Sequence, residues 1–363
     1  MPMINILKEV ARGKRGARDL NYEESTYAAE SILGRTASPA QIGAFLAAER
    51  IKLESVEELE AFVYVLRKYA HREPLFAKGL DCAGPYDGRK SSFIATFPTA
   101  FLLSAAGLPV TLHGTASLPP KWGITLQDII YQSGIEKTAL ERTKAISAAN
   151  KSNVLFADAE EWCPPLGDLR SIREEIGMRT LFNTAEKLID YACSPFIIFG
   201  IYHNTVFDRL SRLLIKLGYQ KALIVQGVEG SEDLFIDRPT RVYTVENGVA
   251  ALDIIDPEGF GLDTIVPEVH WTPHQQLMTA EAVLQGGGHM AFYNQTLLNG
   301  AARLHLAGKV NSIEEGLYTC KSLLDNGEAW SVYVKWRGAL LGSTSGALGP
   351  AQCIITSFYP DNM

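Results

Sequence analysis

No apolar run in the 363 residues approaches the ~20 that a bilayer-crossing helix needs, and the first residues lack the apolar core of a secretory leader. Cysteine is scarce and scattered. Cys82, Cys163, Cys193, Cys320 and Cys353 are odd in number and contain no C-x-x-C pair, which speaks for reduced thiols rather than a disulfide scaffold. The histidines form no metal motif, because Pro273 stands between His270 and His274 and argues against one shared helix face. Positive charge is not in excess: a net charge of −7 provides no global field toward nucleic acid or an anionic membrane. Internal repeats and low-complexity linkers are missing. Gly286-Gly287-Gly288 lacks a following Lys-Ser/Thr, so it reads as a hinge or turn. These absences leave a cytoplasmic globular protein without a membrane partner.

What is present is a large core and two textures. Hydrophobic residues make up 47% of the chain, enough for two lobes. Residues 1–72 read as helices throughout. Tyr22 to Leu33 has helical spacing and stops at Gly34, Ser38-Pro39 starts a new helix with Pro at its first position, and Val56-Glu57-Glu58-Leu59 begins another. The stretch 165–191 is helical again and is expected to join this helical lobe. From 73 to 164 and from 192 to 363, short runs rich in Val, Ile and Leu alternate with helical segments. That pattern predicts an α/β lobe with a mainly parallel sheet covered by helices on both faces. The apolar positions Phe45, Leu46, Phe62 and Leu66 exceed what a small helical lobe is expected to bury alone, which predicts a two-fold homodimer through residues 3–72.

The organising stretch is Leu80 to Asp128. A strand-like run ends at Cys82-Ala83, the loop Gly84-Pro85-Tyr86-Asp87-Gly88 follows, then a helix, then a second strand stopping at His113-Gly114. Two polar loops at the C-terminal ends of neighbouring strands are where open α/β sheets hold ligands. A loop entering a helix N-terminus also offers free N–H groups to phosphate. Glu232-Asp233, after another strand, forms an acidic pair suited to Mg²⁺, and Arg173, in the charged segment reaching Arg179, suits an acidic acceptor. Each has a plainer alternative: a tight turn at Gly84 and Gly88, a structural His113, a solvated Glu232-Asp233, a surface Arg173.

Together these segments resemble the anthranilate phosphoribosyltransferases, a family with a helical lobe and an α/β lobe. Gln41-Ile42-Gly43-Ala44-Phe45-Leu46, Ile176-Gly177-Met178-Arg179-Thr180-Leu181-Phe182-Asn183, Pro257 to Leu262 and Asn299-Gly300-Ala301-Ala302 extend the resemblance over most of the chain. It implies transfer of a phosphoribosyl group from phosphoribosyl pyrophosphate to anthranilate in tryptophan biosynthesis, with Mg²⁺ on Glu232 and Asp233. It also implies ligand contacts at Gly84, Asp87, Thr96, His113 and Gly114, and Arg173 as the anthranilate-contacting arginine.

The departures fall on the donor half of that site. The family's Gly-Thr-Gly-Gly-Asp loop keeps Gly84 and Asp87, but Pro85 lacks an N–H and Tyr86 adds bulk. Asn-x-Ser-Thr becomes Ile94-Ala95-Thr96-Phe97. Lys-His-Gly-Asn becomes Leu112-His113-Gly114-Thr115, and a serine pair becomes Pro119-Pro120. One lost oxyanion donor costs ~2.7–4 kcal/mol, so turnover with anthranilate is expected to be slow. The pattern resembles a divergent branch in which the fold serves as a single-stranded nucleic-acid-binding homodimer. That branch implies a basic surface from Lys8, Lys14, Arg15, Arg89 and Lys90. The expectation is therefore a family member binding a phosphorylated or anionic ligand in its crevice, with sequence-independent nucleic-acid binding as the alternative.

Overall fold

The computed structural model describes residues 2–13 and 15–342. Four helices build the N-terminal lobe: α1 (Met3–Val10), α2 (Tyr22–Leu33), α3 (Pro39–Lys52) and α4 (Val56–Tyr69). Their boundaries follow local chemistry. Asn21, Ser38 and Ser55 each cap a helix by accepting from the N–H three residues on, and the Glu or Gln there returns the bond, a reciprocal capping box. Phe45, Leu46, Phe62 and Leu66 are fully buried within the single chain, so the argument for a dimer drawn from them does not hold. Part of their cover comes from residues 166–188. Phe62 meets Phe182 edge-on, and Leu166, Leu181 and Leu188 share their core.

The larger lobe carries β1 (Leu80–Ala83), α5 (Thr96–Ala105), β2 (Val110–Gly114), α6 (Leu126–Gln132), α7 (Arg142–Ser152) and β3 (Val154–Asp158). Short helices α8 (Ala159–Trp162), α9 (Pro164–Asp168), α10 (Arg170–Ile176) and α11 (Phe182–Ala185) lead back against the N-terminal lobe. Then come β4 (Phe196–Gly200), α12 (Phe207–Lys216), β5 (Lys221–Val225), β6 (Thr240–Glu246) and β7 (Val249–Ile255). The chain continues into α13 (Pro273–Leu284), α14 (Met290–Leu306), α15 (Ile313–Asp325) and α16 (Glu328–Leu340).

The seven strands form one sheet in the order β3-β2-β1-β4-β5-β6-β7. The first five are parallel, and β6 and β7 run antiparallel to their neighbours. Side-chain alternation splits the core. Ile197, Phe199, Ala222 and Ile224 face the helical lobe, while Ile198, Leu223 and Val225 face α5 and the C-terminal helices. Cover is incomplete at one edge. Tyr243 of β6 stacks on Phe207 at the start of α12, but Val249, Leu252 and Ile254 of β7 lie beyond that helix and are exposed. The described cysteines are free thiols, and Cys353 lies outside the described residues.

Candidate functional site: a closed crevice and an open basic cleft

Five parallel strands deliver their C-terminal ends to one side of the sheet, and with them the Gly84–Gly88 loop, His113-Gly114, Tyr202 and the Gln226–Asp233 loop. The last of these lies directly on the end of β4. A Cβ at Gly200 would collide with the backbone of Ser231, so only glycine permits the approach. Glu232 is pressed over Gly84 in the same way: a Cβ there would come within 2.7 Å of its carboxylate.

The crevice between Gly84 and His113 is filled. Tyr86 is buried, with its hydroxyl 2.7 Å from His113 Nδ1, and His113 Nε2 lies 3.0 Å from Asp81 Oδ1. Burial, followed by the nearby Glu186 and Asp81 carboxylates, pushes the Tyr86 hydroxyl well above its ordinary range. The space left among Gly84, Tyr86, His113, Gly114, Thr115 and Glu232 is about 20 Å³. A diphosphate does not fit there.

Behind it sits a buried charge cluster. Asp233 Oδ2 accepts from Arg89 at 2.6 Å and from the Thr96 N–H at 3.1 Å. Its Oδ1 accepts from Thr96 Oγ1 at 2.7 Å and from Arg303 at 2.9 Å. Burial alone would raise this carboxyl, but Arg89 and Arg303 outweigh it and hold it at about 2. Every accepting position of Asp233 is occupied by a protein donor. Glu232 is also buried, with Arg89 4.0 Å away.

These contacts correct several expectations. Arg89 is buried in the cluster and adds no charge to a nucleic-acid-binding surface. Lys8, Arg15 and Lys90 are exposed, while Lys14 lies outside the described residues. Arg12 and Arg18 are drawn into pairs with Glu9 and Glu24, which lowers the free positive charge of the N-terminal segment. Arg173 does not face a ligand space. It is buried and gripped by Glu186 through two bonds of 2.6 and 3.0 Å. Thr96 is committed to Asp233 and Arg303.

The open space lies one step away, between the lobes. A cleft of about 550 Å³ is lined by Arg50, Lys121, Arg179, Lys187 and Arg209, with Glu54, Asp87 and Glu229 among them and Tyr202 and His203 beside them. Asp87 bridges two of the cations, at 3.1 Å from Lys121 and 3.1 Å from Arg179. Arg209 is 3.5 Å from Glu54. Glu229 sits in a left-handed conformation, φ 52°, and its carboxylate collects the N–H groups of Lys90 and Ser91 and the Ser92 hydroxyl. Of the ligand contacts expected from the sequence, Asp87 alone lines this cleft. Arg50, Lys121, Lys187, Tyr202, Arg209 and Glu229 were not anticipated. They come from six separate segments, so no motif groups them, although Arg179 carried one signal. It follows Gly177, the left-handed residue that ends α10, and so lies in a loop, whereas Arg173 lies within the helix.

Two family models cover most of the chain: the helical bundle domain of a glycosyl transferase family over residues 4–70, and its a/b domain over residues 86–330. The chain belongs to this glycosyl transferase family. Among its curated relatives, the anthranilate phosphoribosyltransferase of Persephonella marina is 27% identical over 92% of this chain and 98% of the relative. That of Pelotomaculum thermopropionicum is 29% identical over 90% and 93%. The crystal structure of anthranilate phosphoribosyltransferase from Thermus thermophilus has the same fold, with a TM-score of 0.77, 22% identity and coverage of 92% and 99%. The Saccharomyces cerevisiae enzyme in complex with PRPP (phosphoribosyl pyrophosphate) and Mg aligns with a TM-score of 0.79, 18% identity and coverage of 94% and 98%. Of the pair on which the family implies Mg²⁺, Glu232 keeps one buried carboxylate oxygen without a hydrogen-bond partner, whereas Asp233 is spent. Asp233 has no lone pair free of Arg89, Arg303 and Thr96, and no group of three or more His, Cys, Asp or Glu among the described residues is arranged to hold a metal. No helix among the described residues is long and apolar enough to cross a membrane.

Proposed function

We propose that this family member binds a phosphorylated ligand in the interlobe cleft, without Mg²⁺, and does not transfer a phosphoribosyl group to anthranilate at the Gly84–His113 crevice. The observation that carries this reading is the contrast in space and charge. Five cations from the helical lobe, the sheet lobe and the 165–191 stretch surround about 550 Å³, while the crevice retains about 20 Å³. A concave site with excess positive charge and low-dielectric walls concentrates anions and rewards their binding. The cations behind the crevice, Arg89 and Arg303, are turned onto Asp233.

Calorimetry with ribose 5-phosphate, phosphoribosyl pyrophosphate and anthranilate, each with and without Mg²⁺, tests this. The expected result is heat from the phosphorylated compounds that does not depend on Mg²⁺, with no loss of anthranilate over time. Mg²⁺-dependent diphosphate binding with turnover would overturn it. A homodimer through residues 3–72 is part of the proposal. Its contact side chains would be the exposed Ile4, Ile51, Leu53 and Tyr64. Sedimentation showing a monomer at all micromolar concentrations would remove it.

A further inference from the structure

Among the described cations of the cleft, Lys187 alone is both buried and without a carboxylate partner. Its Nζ donates to the Gly200 carbonyl at 2.9 Å and stands 3.7 Å from the centre of the Phe199 ring. An ammonium has three donors, so two remain for whatever enters. The charged groups around it come from every neighbouring segment, and none of the carboxylates forms an ion pair with it. Asp87, after β1, holds Lys121 and Arg179. Glu186, beside it, holds Arg173. Glu232, after β5, faces Arg89. Arg179, from the loop after α10, is the like charge. A buried cation in this position lacks its counterion.

We propose that Lys187 is the counter-charge for a phosphomonoester dianion, and that it takes up a proton as the ligand binds. This rests on the cleft-binding reading and specifies its ligand class. With Lys187 charged, five cations face Glu54, Asp87 and Glu229, an excess that matches two negative charges. With Lys187 neutral, the excess matches only one. Burial, and then Arg179, bring the free amine down to about 7, so the unliganded site is poised between these states near neutrality. Binding of a dianion favours the charged form and draws in the proton.

The probe is inorganic sulfate, whose charge is constant over the pH range used, with ribose 5-phosphate as the phosphomonoester. Calorimetry on the full chain at pH 6 and pH 8.5, in two buffers of different protonation enthalpy, reads both affinity and proton uptake. Sulfate affinity should fall by about 30-fold between these pH values, the loss expected when a group titrating near 7 must be charged. Uptake should be close to one proton at pH 8.5 and close to none at pH 6. Lys187→Arg, charged throughout, should bind with neither pH dependence nor uptake. Lys187→Met, checked for an intact melting transition, should bind weakly at both pH values. Equal wild-type affinity at both pH values without uptake would overturn the role of Lys187 while leaving the cleft as a binding site. A pH dependence that survives in Lys187→Arg would assign the proton to His203 and overturn it equally. No heat from either probe at either pH would bring down the cleft reading itself.

Discussion

Two depressions lie side by side at the same edge of the sheet, and they are built from neighbouring residues. Asp87 points into the open cleft, while Arg89, two positions on, is buried behind the closed crevice. Arg173 is locked to Glu186, while Arg179 reaches the cleft. The crevice has charge in abundance, and its two arginines converge on Asp233. The cleft has fewer pairs than cations. What makes a binding site here is the unpaired remainder, because a charge already satisfied gains little from a ligand.

The strongest way to break this comparison is to unpair the crevice. Arg303→Met leaves Asp233 short of a cation in a fully buried setting, and removing one partner of such a group costs about 3–5 kcal/mol. Urea unfolding at pH 7 reads it. The acid limb adds a check of sign. The Asp233 carboxyl sits below its unfolded value of 3.8, at about 2, so its contribution is present above about pH 4 and fades as pH falls toward 2. The gap between variant and wild type should shrink over that interval. A cost under 1 kcal/mol would show that the cluster does not hold the crevice shut.

Next in size is the cleft's own affinity. Arg179→Ala should weaken ribose 5-phosphate by about 10- to 100-fold, the value of a hydrogen bond to a charged group. His113→Gln should leave that affinity within twofold. Similar losses in both would merge the two regions into one site.

A smaller effect concerns stability. Lys187 has a folded value near 7 against 10.5 unfolded, so the native state carries the full charging penalty below pH 7 and sheds it between pH 7 and 10.5. Lys187→Met removes the penalty, and should raise stability at pH 6 by an amount at the lower end of ~1–4 kcal/mol, and by less at pH 9. A variant less stable at pH 6 than at pH 9, relative to wild type, would reverse the sign and count against a buried unpaired lysine. Smallest of all is Pro85→Gly, which returns an N–H to the loop. It should change phosphoribosyl pyrophosphate binding by less than twofold, because Tyr86 and Glu232 still fill the space.

The sheet was legible because its strands are short apolar runs bounded by Gly and Pro, and each run expected from Leu80 to Ile255 became a strand. Helices cover both faces as expected, and only β7 at the edge is left partly bare. Val249, Leu252 and Ile254 have the composition of buried strand residues, and nothing local tells an outermost strand from a central one. The helical lobe was legible through Asn21, Ser38 and Ser55, residues that cap helices by themselves. Which side chains meet there was not, since Phe62 packs on Phe182, and that contact crosses most of the sheet lobe's first half. The site failed at the same place. Arg89 and Lys90 are adjacent basic residues, and only the arrival of Asp233 and Glu229 from the β5 loop sends one inward and leaves the other outside. Lys187 gave no sign at all, because a lysine beside a glutamate reads as solvated.

The Arg89–Asp233–Arg303 cluster also limits which substitutions the chain tolerates. Each member stabilises the chain only while the other two remain, so their effects on stability are not additive. Replacing any one to free Asp233 for a metal unfolds part of the margin on which the fold stands, before any catalytic gain appears. Freeing Asp233 therefore requires several coordinated changes, with destabilised forms between them. The cluster resists substitution as a unit, whereas the residues of the cleft can vary one at a time.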